Sequence, residues 1–123
     1  MNPLGTHLLI DLKECNPKLL DDLQFIKNAM INAAIEANAT IVGKTFHKFE
    51  PLGVTGIIAI AESHFCIHTW PEHSYAAADI FTCGSKFKPF QSVQLLIKSL
   101  QCSDPHIKEI KRGAMPMITS SPN

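Results

Sequence analysis

The 123-residue sequence has no excess of charge of either sign: eleven Lys and Arg balance eleven Asp and Glu. Nucleic-acid binders ordinarily carry a basic excess or stripe, so no nucleic-acid partner is expected. No apolar run approaches the ~20 residues of a membrane span, and residues 1–5 lack the charged and apolar regions of a signal peptide. A cytoplasmic location with no membrane partner is therefore expected. The four cysteines, Cys15, Cys66, Cys83 and Cys102, include no C-x-x-C pair, which argues against a disulfide framework and fits a reducing compartment. Internal repeats, low-complexity stretches and linkers are also missing. What is present is 46% apolar residues, enough for one modest core, and the expectation is a single domain over residues 1–123. Without net charge to repel copies of itself, the chain is free to bury leftover apolar surface by self-association.

The apolar pattern sets out the elements. Leu8, Ile10 and Leu12 alternate, with Leu9 between them, and predict a largely buried strand over residues 5–12. Asn16 and Pro17 suit the cap and first position of a helix, and apolar residues at spacings of three and four carry it about twenty residues to Asn38. In that reading Asp21 and Asp22 occupy its first turns, where the helix dipole favours negative charge. Strands follow at 40–49, 54–62, 64–70 and 76–83, separated by Pro51-Leu52-Gly53 and Pro71-Glu72-His73-Ser74. A second helix is predicted over 89–100, a short strand over 106–111 and a loose tail over 115–123. The order β-α-β-β-β-β-α-β with short central connections predicts an α+β fold: a two-layer antiparallel sheet with two helices on one face. Because the run from Ile57 to Ala61 supplies apolar side chains to both faces, the expectation is that a second subunit covers the other face.

The chemistry-bearing residues concentrate at Glu62-Ser63-His64-Phe65-Cys66-Ile67-His68-Thr69-Trp70-Pro71-Glu72. In a strand, His64, Cys66, His68, Trp70 and Glu72 share one face. Taken singly each is more simply structural; five together on one face point to a site. His64, Cys66 and His68 offer metal donors, but residues two apart on a strand are separated by roughly 6.6 Å and their side chains run parallel, so they converge poorly on one ion. Ser63 or Cys66 paired with a histidine would suit a hydrolase, but no G-x-S-x-G elbow is present.

This string, with Tyr75-Ala76-Ala77 and Asp79-Ile80-Phe81-Thr82-Cys83-Gly84, resembles the small prokaryotic S-adenosylmethionine decarboxylases. The likeness extends to Gly5-Thr6-His7-Leu8-Leu9-Ile10-Asp11, His47-Lys48-Phe49-Glu50-Pro51, Gly53-Val54-Thr55-Gly56 and Lys111-Arg112-Gly113, and so covers nearly the whole chain. The resemblance implies a proenzyme that makes its own cofactor, with neither metal nor pyridoxal phosphate. Ser63 would attack the carbonyl of Glu62, and cleavage between them would leave residues 1–62 and a second fragment, 63–123, beginning with a pyruvoyl group. That group would condense with the amine of S-adenosylmethionine and promote loss of carbon dioxide, giving the aminopropyl donor for spermidine synthesis. His68 matches the processing base, Thr55 a hydroxyl that assists processing and is commonly serine, and Cys83 the proton donor. Phe49 and Trp70 match the aromatics that stack on adenine, and Glu72 the carboxylate that binds the ribose hydroxyls. Ser74 stands where many relatives have glycine. The family also implies a homodimer of processed αβ units, packed as a four-layer αββα sandwich with sites built from both subunits.

Two rivals stand beside that reading. A pyruvoyl enzyme retuned to arginine or ornithine would have no need of Phe49, Trp70 and Glu72. An uncleaved binding or regulatory subunit would keep the pocket but remain one full-length species.

Overall fold

The computed structural model describes residues 3–84 and 86–114; the tail expected over 115–123 lies outside them. The strands are β1 (Gly5–Lys13), β2 (Ile41–Lys48), β3 (Val54–Ile60), β4 (Ser63–Trp70), β5 (Tyr75–Thr82) and β6 (Asp104–Arg112). The helices are α1 (Pro17–Leu20), α2 (Leu23–Glu36) and α3 (Pro89–Ser99), with a 3₁₀ turn at Pro71–His73. All six strands pair antiparallel in one sheet, in the order β2-β3-β4-β5-β1-β6. The α+β reading with one antiparallel sheet is borne out.

Period-two alternation decides which face each side chain takes. Leu8, Ile10, Leu12, Ile58, Ile60, Phe65, Ile67, Ala76, Ala78 and Ile80 point to the helix-covered face and are buried with Ile26, Met30, Val93 and Leu96 of the helices. Ser92 lies in this layer without cost, because its hydroxyl donates to the Ala33 carbonyl at 2.7 Å and ties α3 to α2. The opposite face is uncovered in a single chain. Leu9, 39% exposed, and Ile57, 45% exposed, lie on it among polar side chains. β1 is thus buried on one side only, not largely buried as Leu9 suggested.

The expected twenty-residue helix is two helices. Asn16 caps the first, accepting from Lys18 N–H, and Pro17 opens it. Asp22 caps the second, accepting from Phe25 N–H at 3.0 Å. Asp21 leaves the helix altogether: its carboxylate accepts from Gly53 N–H at 2.9 Å and pairs with Lys48 at 3.0 Å. Those two bonds hold its carboxyl below the ordinary carboxylate value, the Gly53 N–H contributing most. The acidic pair therefore serves a cap and a loop anchor. Gly53 sits at φ +112 with the Thr69 carbonyl 3.1 Å from where a Cβ would stand, so glycine is required in this turn. The last strand runs two residues beyond the expected 106 start and one beyond its expected end, since β6 pairs with β1 along its whole length.

Ser74 ends the 3₁₀ turn at φ +50, a conformation that glycine adopts at least cost. Replacing Ser74 with glycine is expected to stabilise the fold by about 1 kcal/mol, seen as a higher midpoint in thermal unfolding. An unchanged or lower midpoint would contradict this account of the turn.

Candidate active site

The sequence placed Glu62 at the end of a strand. Instead β3 stops at Ile60, Ala61 and Glu62 make the turn, and Ser63 opens β4 opposite Ile60. The Glu62–Ser63 bond thus lies at the apex of a hairpin, and Glu62 takes φ +65, a region costly for a residue with a Cβ. The neighbouring end of β5 wraps this apex. Ser63 Oγ donates to Thr82 Oγ1 at 2.8 Å. The Glu62 carbonyl oxygen accepts from Cys83 N–H at 3.1 Å and from the Cys83 thiol at 2.9 Å. A Cβ at Gly84 would stand 2.9 Å from Glu62 Oε1, so a larger residue there would push that carboxylate aside. A cavity of about 370 Å³ opens beside them, bounded by Glu62, Gly84, Lys86 and Phe87 among others. Two donors on one carbonyl oxygen, with a hydroxyl adjacent, are the parts needed for acyl transfer, because they stabilise the charge that builds on that oxygen.

The remaining expected residues lie at the far end of the sheet. From Ser63 to His68 the strand advances roughly 16 Å, at about 3.3 Å per residue. The two side chains also take opposite faces, Ser63 with Phe65 and His68 with Cys66. Thr55, paired with His68 across β3 and β4, places its hydroxyl 3.2 Å from His68 Nδ1. Trp70 follows on the same face, 40% exposed and stacked on Tyr75 with ring centroids 5.4 Å apart. Phe49, 47% exposed, packs edge-on against His47 at 4.5 Å. Glu72 is not on the strand face: β4 ends at Trp70 and Glu72 lies in the 3₁₀ turn. It borders an open cleft of about 450 Å³ with Pro17, Lys18, Asp21, Leu52 and Pro71. Within one chain the structure therefore assembles two groups: Glu62, Ser63 and Cys83 at one end, Thr55, His68, Phe49, Trp70 and Glu72 at the other.

Between them, Asp79 Oδ2 accepts from His7 Nε2 at 2.8 Å and from His64 Nε2 at 3.0 Å. Arg112 reaches His7 Nδ1 at 3.3 Å and lies over the Phe81 ring. His64 therefore groups with His7 and Asp79 and not with Cys66 and His68, the combination weighed for a metal. Burial, reinforced by the charge of Asp79, pushes the Cys66 thiol up to about 11, which keeps it protonated and a poor nucleophile at neutral pH.

The sequence alone did not single out Thr82 or Asp79. For Thr82 the missing information was register, since its pairing with Ser63 is set by the β4–β5 ladder. Asp79 did carry a signal: it is the one carboxylate in the otherwise uncharged strand Tyr75–Thr82.

Residues 6–113 match the family described as S-adenosylmethionine decarboxylase. A S-adenosylmethionine decarboxylase proenzyme of Thermodesulfovibrio yellowstonii is 53% identical over 113 residues, spanning 92% of this chain and 84% of the relative. One from Thermotoga petrophila is 47% identical over 113 residues, spanning 92% and 87%. A crystal structure of the adenosylmethionine decarboxylase from Aquifex aeolicus superposes with a TM-score of 0.87 at 31% identity, covering 94% of this chain and 96% of that one.

Proposed function

The chain belongs to the S-adenosylmethionine decarboxylase family, and from that premise we propose how its residues divide the work. It is a decarboxylase of S-adenosylmethionine whose pyruvoyl group is made from a serine by self-cleavage, as is the property of the family. We assign that serine to Ser63, with cleavage giving fragments 1–62 and 63–123. The observation that carries the assignment is the Glu62 carbonyl, held by both Cys83 donors beside the Ser63 hydroxyl.

Cleavage proceeds by attack of Ser63 Oγ on the Glu62 carbonyl carbon. The Ser63 nitrogen leaves that carbon and takes up a proton, so that an ester replaces the amide. Cys83 N–H and Sγ–H hold the oxyanion meanwhile. Thr82 fixes the hydroxyl, and relief of the strained Glu62 backbone favours departure from the turn by roughly 1–2 kcal/mol. A base then removes the Ser63 Cα proton, the Cβ–Oγ bond breaks, residues 1–62 depart as a carboxylate, and water releases ammonia from residue 63. His68, steadied by the Thr55 hydroxyl, is the base for this stage.

The geometry fits the pyruvoyl group, because the residue before Ser63, Glu62, borders a cavity and holds the Cys83 thiol on its carbonyl. When formed, the group supplies an electrophilic ketone and an adjacent carbonyl that accepts the electron pair freed as carbon dioxide leaves. Cys83 returns a proton to the substrate Cα. Phe49 and Trp70 face the adenine and the sulfonium charge, an attraction of about 0.5–2 kcal/mol for a cation over an aromatic face. Glu72 accepts from the ribose hydroxyls.

His68 cannot reach its own Ser63, so we further propose a homodimer in which the open faces pack about a two-fold axis that runs between the two sheets, parallel to them and across the strands. That axis reverses strand direction, so one protomer's Ser63 end meets the partner's Thr55–His68 end, and the four layers run αββα. Leu9, Ile57 and Trp70 supply apolar surface for the contact. No helix among the described residues is long and apolar enough to cross a membrane; a cytoplasmic location is the one we propose.

Release of labelled carbon dioxide tests the substrate assignment. Carboxyl-labelled S-adenosylmethionine is expected to be turned over and labelled arginine and ornithine are not; turnover of either amino acid in its place would overturn the roles of Phe49, Trp70 and Glu72. Threonine at position 55 carries a methyl that restricts its rotamers. Thr55→Ser is therefore expected to cleave faster than the parent in a time course of fragment formation. Equal rates would remove Thr55 from the processing step.

A further inference from the structure

Two cysteines outside the site lie against each other across the sequence. The segment after β1 and the segment before β6 run side by side: Ser103 N–H donates to the Glu14 carbonyl at 3.3 Å, and Asn16 N–H to the Leu100 carbonyl at 3.1 Å. Side chains repeat the pairing, with Ser103 Oγ on Glu14 Oε1 at 2.8 Å and Asn16 Nδ2 on Gln101 Oε1 at 3.1 Å. These bonds bracket Cys15 and Cys102 and continue the β1–β6 register, in which Lys13 faces Asp104, so that the two cysteines face one another. Their thiols also point to consecutive carbonyls, Cys15 to Leu12 at 3.5 Å and Cys102 to Lys13 at 3.0 Å. Residues facing one another across such a ladder have Cα atoms about 4.5–5.5 Å apart, inside the roughly 4.4–6.8 Å that a disulfide spans. Cys15 is buried and Cys102 is partly open, so an oxidant reaches the pair from one side.

We propose that Cys15 and Cys102 form a reversible disulfide under peroxide, and that this bond staples the two fragments of the processed chain together. The step balances with hydrogen peroxide as oxidant. The Cys102 sulfur attacks one peroxide oxygen, the O–O bond breaks, one water leaves, and Cys102 becomes a sulfenic acid. The buried Cys15 thiol, slow to ionise, gives up its proton as its sulfur attacks the Cys102 sulfur, which makes this the slower step; the S–O bond breaks and a second water leaves, so that two thiols have lost two protons and two electrons. The burial that makes Cys15 slow to ionise also shields the finished bond from small reductants. The consequence for the fragments rests on the cleavage proposed above: Cys15 falls in residues 1–62 and Cys102 in 63–123.

The test treats the full chain with hydrogen peroxide, blocks remaining thiols with N-ethylmaleimide and separates it without reductant. The expected result is one species holding both fragments, resolved into two by dithiothreitol, with tryptic peptide 14–18 joined to peptide 99–108. Cys102→Ser is expected to lose the tether completely and Cys66→Ser to keep it. A Ser63→Ala chain, which cannot be cleaved, is treated in parallel and is expected to lose the mass of two hydrogen atoms and show the same joined peptides. Joined peptides in both proteins, with no fragments from the parent after reduction, would overturn the cleavage and leave the disulfide standing. Both thiols alkylated after peroxide, or peptides joined through Cys66 or Cys83, would overturn the disulfide.

Discussion

Co-expressed with a Ser63→Ala chain, a His68→Ala chain is expected to be cleaved, although neither variant is cleaved appreciably alone. The reason is the distance between the two residues. Roughly 16 Å of strand separates the Ser63 Cα proton from His68 in one chain, far beyond the one or two hydrogen bonds over which a proton is passed. Across the proposed two-fold axis, each site takes Ser63, Glu62 and Cys83 from one protomer and Thr55 and His68 from the other. In a mixed dimer one site lacks both Ser63 and His68 and the other has both, so the intact site cleaves the His68→Ala chain. With random pairing, half of the His68→Ala chains meet a Ser63→Ala partner, which sets the expected yield of fragments. Mass spectrometry distinguishes the chains through a tag on one of them. If the His68→Ala chain stays whole in the mixture, the site is not shared and the dimer geometry proposed here is wrong.

The second large effect is expected from Cys83→Ala, because the thiol is assigned to two steps. As a donor to the Glu62 carbonyl it belongs to the cleavage reaction, where loss of one oxyanion donor costs on the order of 10²-fold in rate. The backbone N–H of residue 83 remains, so cleavage slows without stopping. As proton donor to the substrate Cα it belongs to decarboxylation, and the fragments that do form are expected to have little activity. Cys83→Ser separates the roles: a hydroxyl still donates to the carbonyl and restores most of the cleavage rate, but it is a far weaker acid than a thiol and leaves decarboxylation depressed. Fragment formation and carbon dioxide release are measured on the same samples. Normal cleavage in Cys83→Ala would show that the 2.9 Å thiol contact is incidental.

Period-two alternation made the strands legible, and with them the two faces of the sheet. The placing of Leu8, Ile10 and Leu12 inward follows from it directly. Leu9 misled because an apolar residue on the open face looks the same, in sequence, as one in a doubly buried strand. Asp21 and Asp22 misled for a different reason. An acidic pair near a helix start suits the dipole of a continuous helix and equally the cap of a new one, and the choice was made by Gly53 and Lys48, thirty residues away in the chain.

The site shows a sharper limit. The string from Glu62 to Glu72 reads as one motif, but a strand spreads it along the length of the sheet. Ser63 stands at one end and Trp70 at the other, with Glu72 carried off the strand by the 3₁₀ turn. Residue identity and face could be read from the string; which copy of the chain each residue serves depends on how two sheets meet. The Cys83 contact was hidden for a related reason, since twenty residues and a strand register separate it from the carbonyl it holds.

The most direct test is the intact mass of the purified chain, denatured and reduced. Two species are predicted, one with the mass of residues 1–62 ending in a free carboxylate, and one with the mass of residues 63–123 whose first residue has exchanged the elements of serine for a pyruvoyl and resists Edman degradation. A single unbroken chain, or a second fragment that begins with an ordinary serine, would contradict the account.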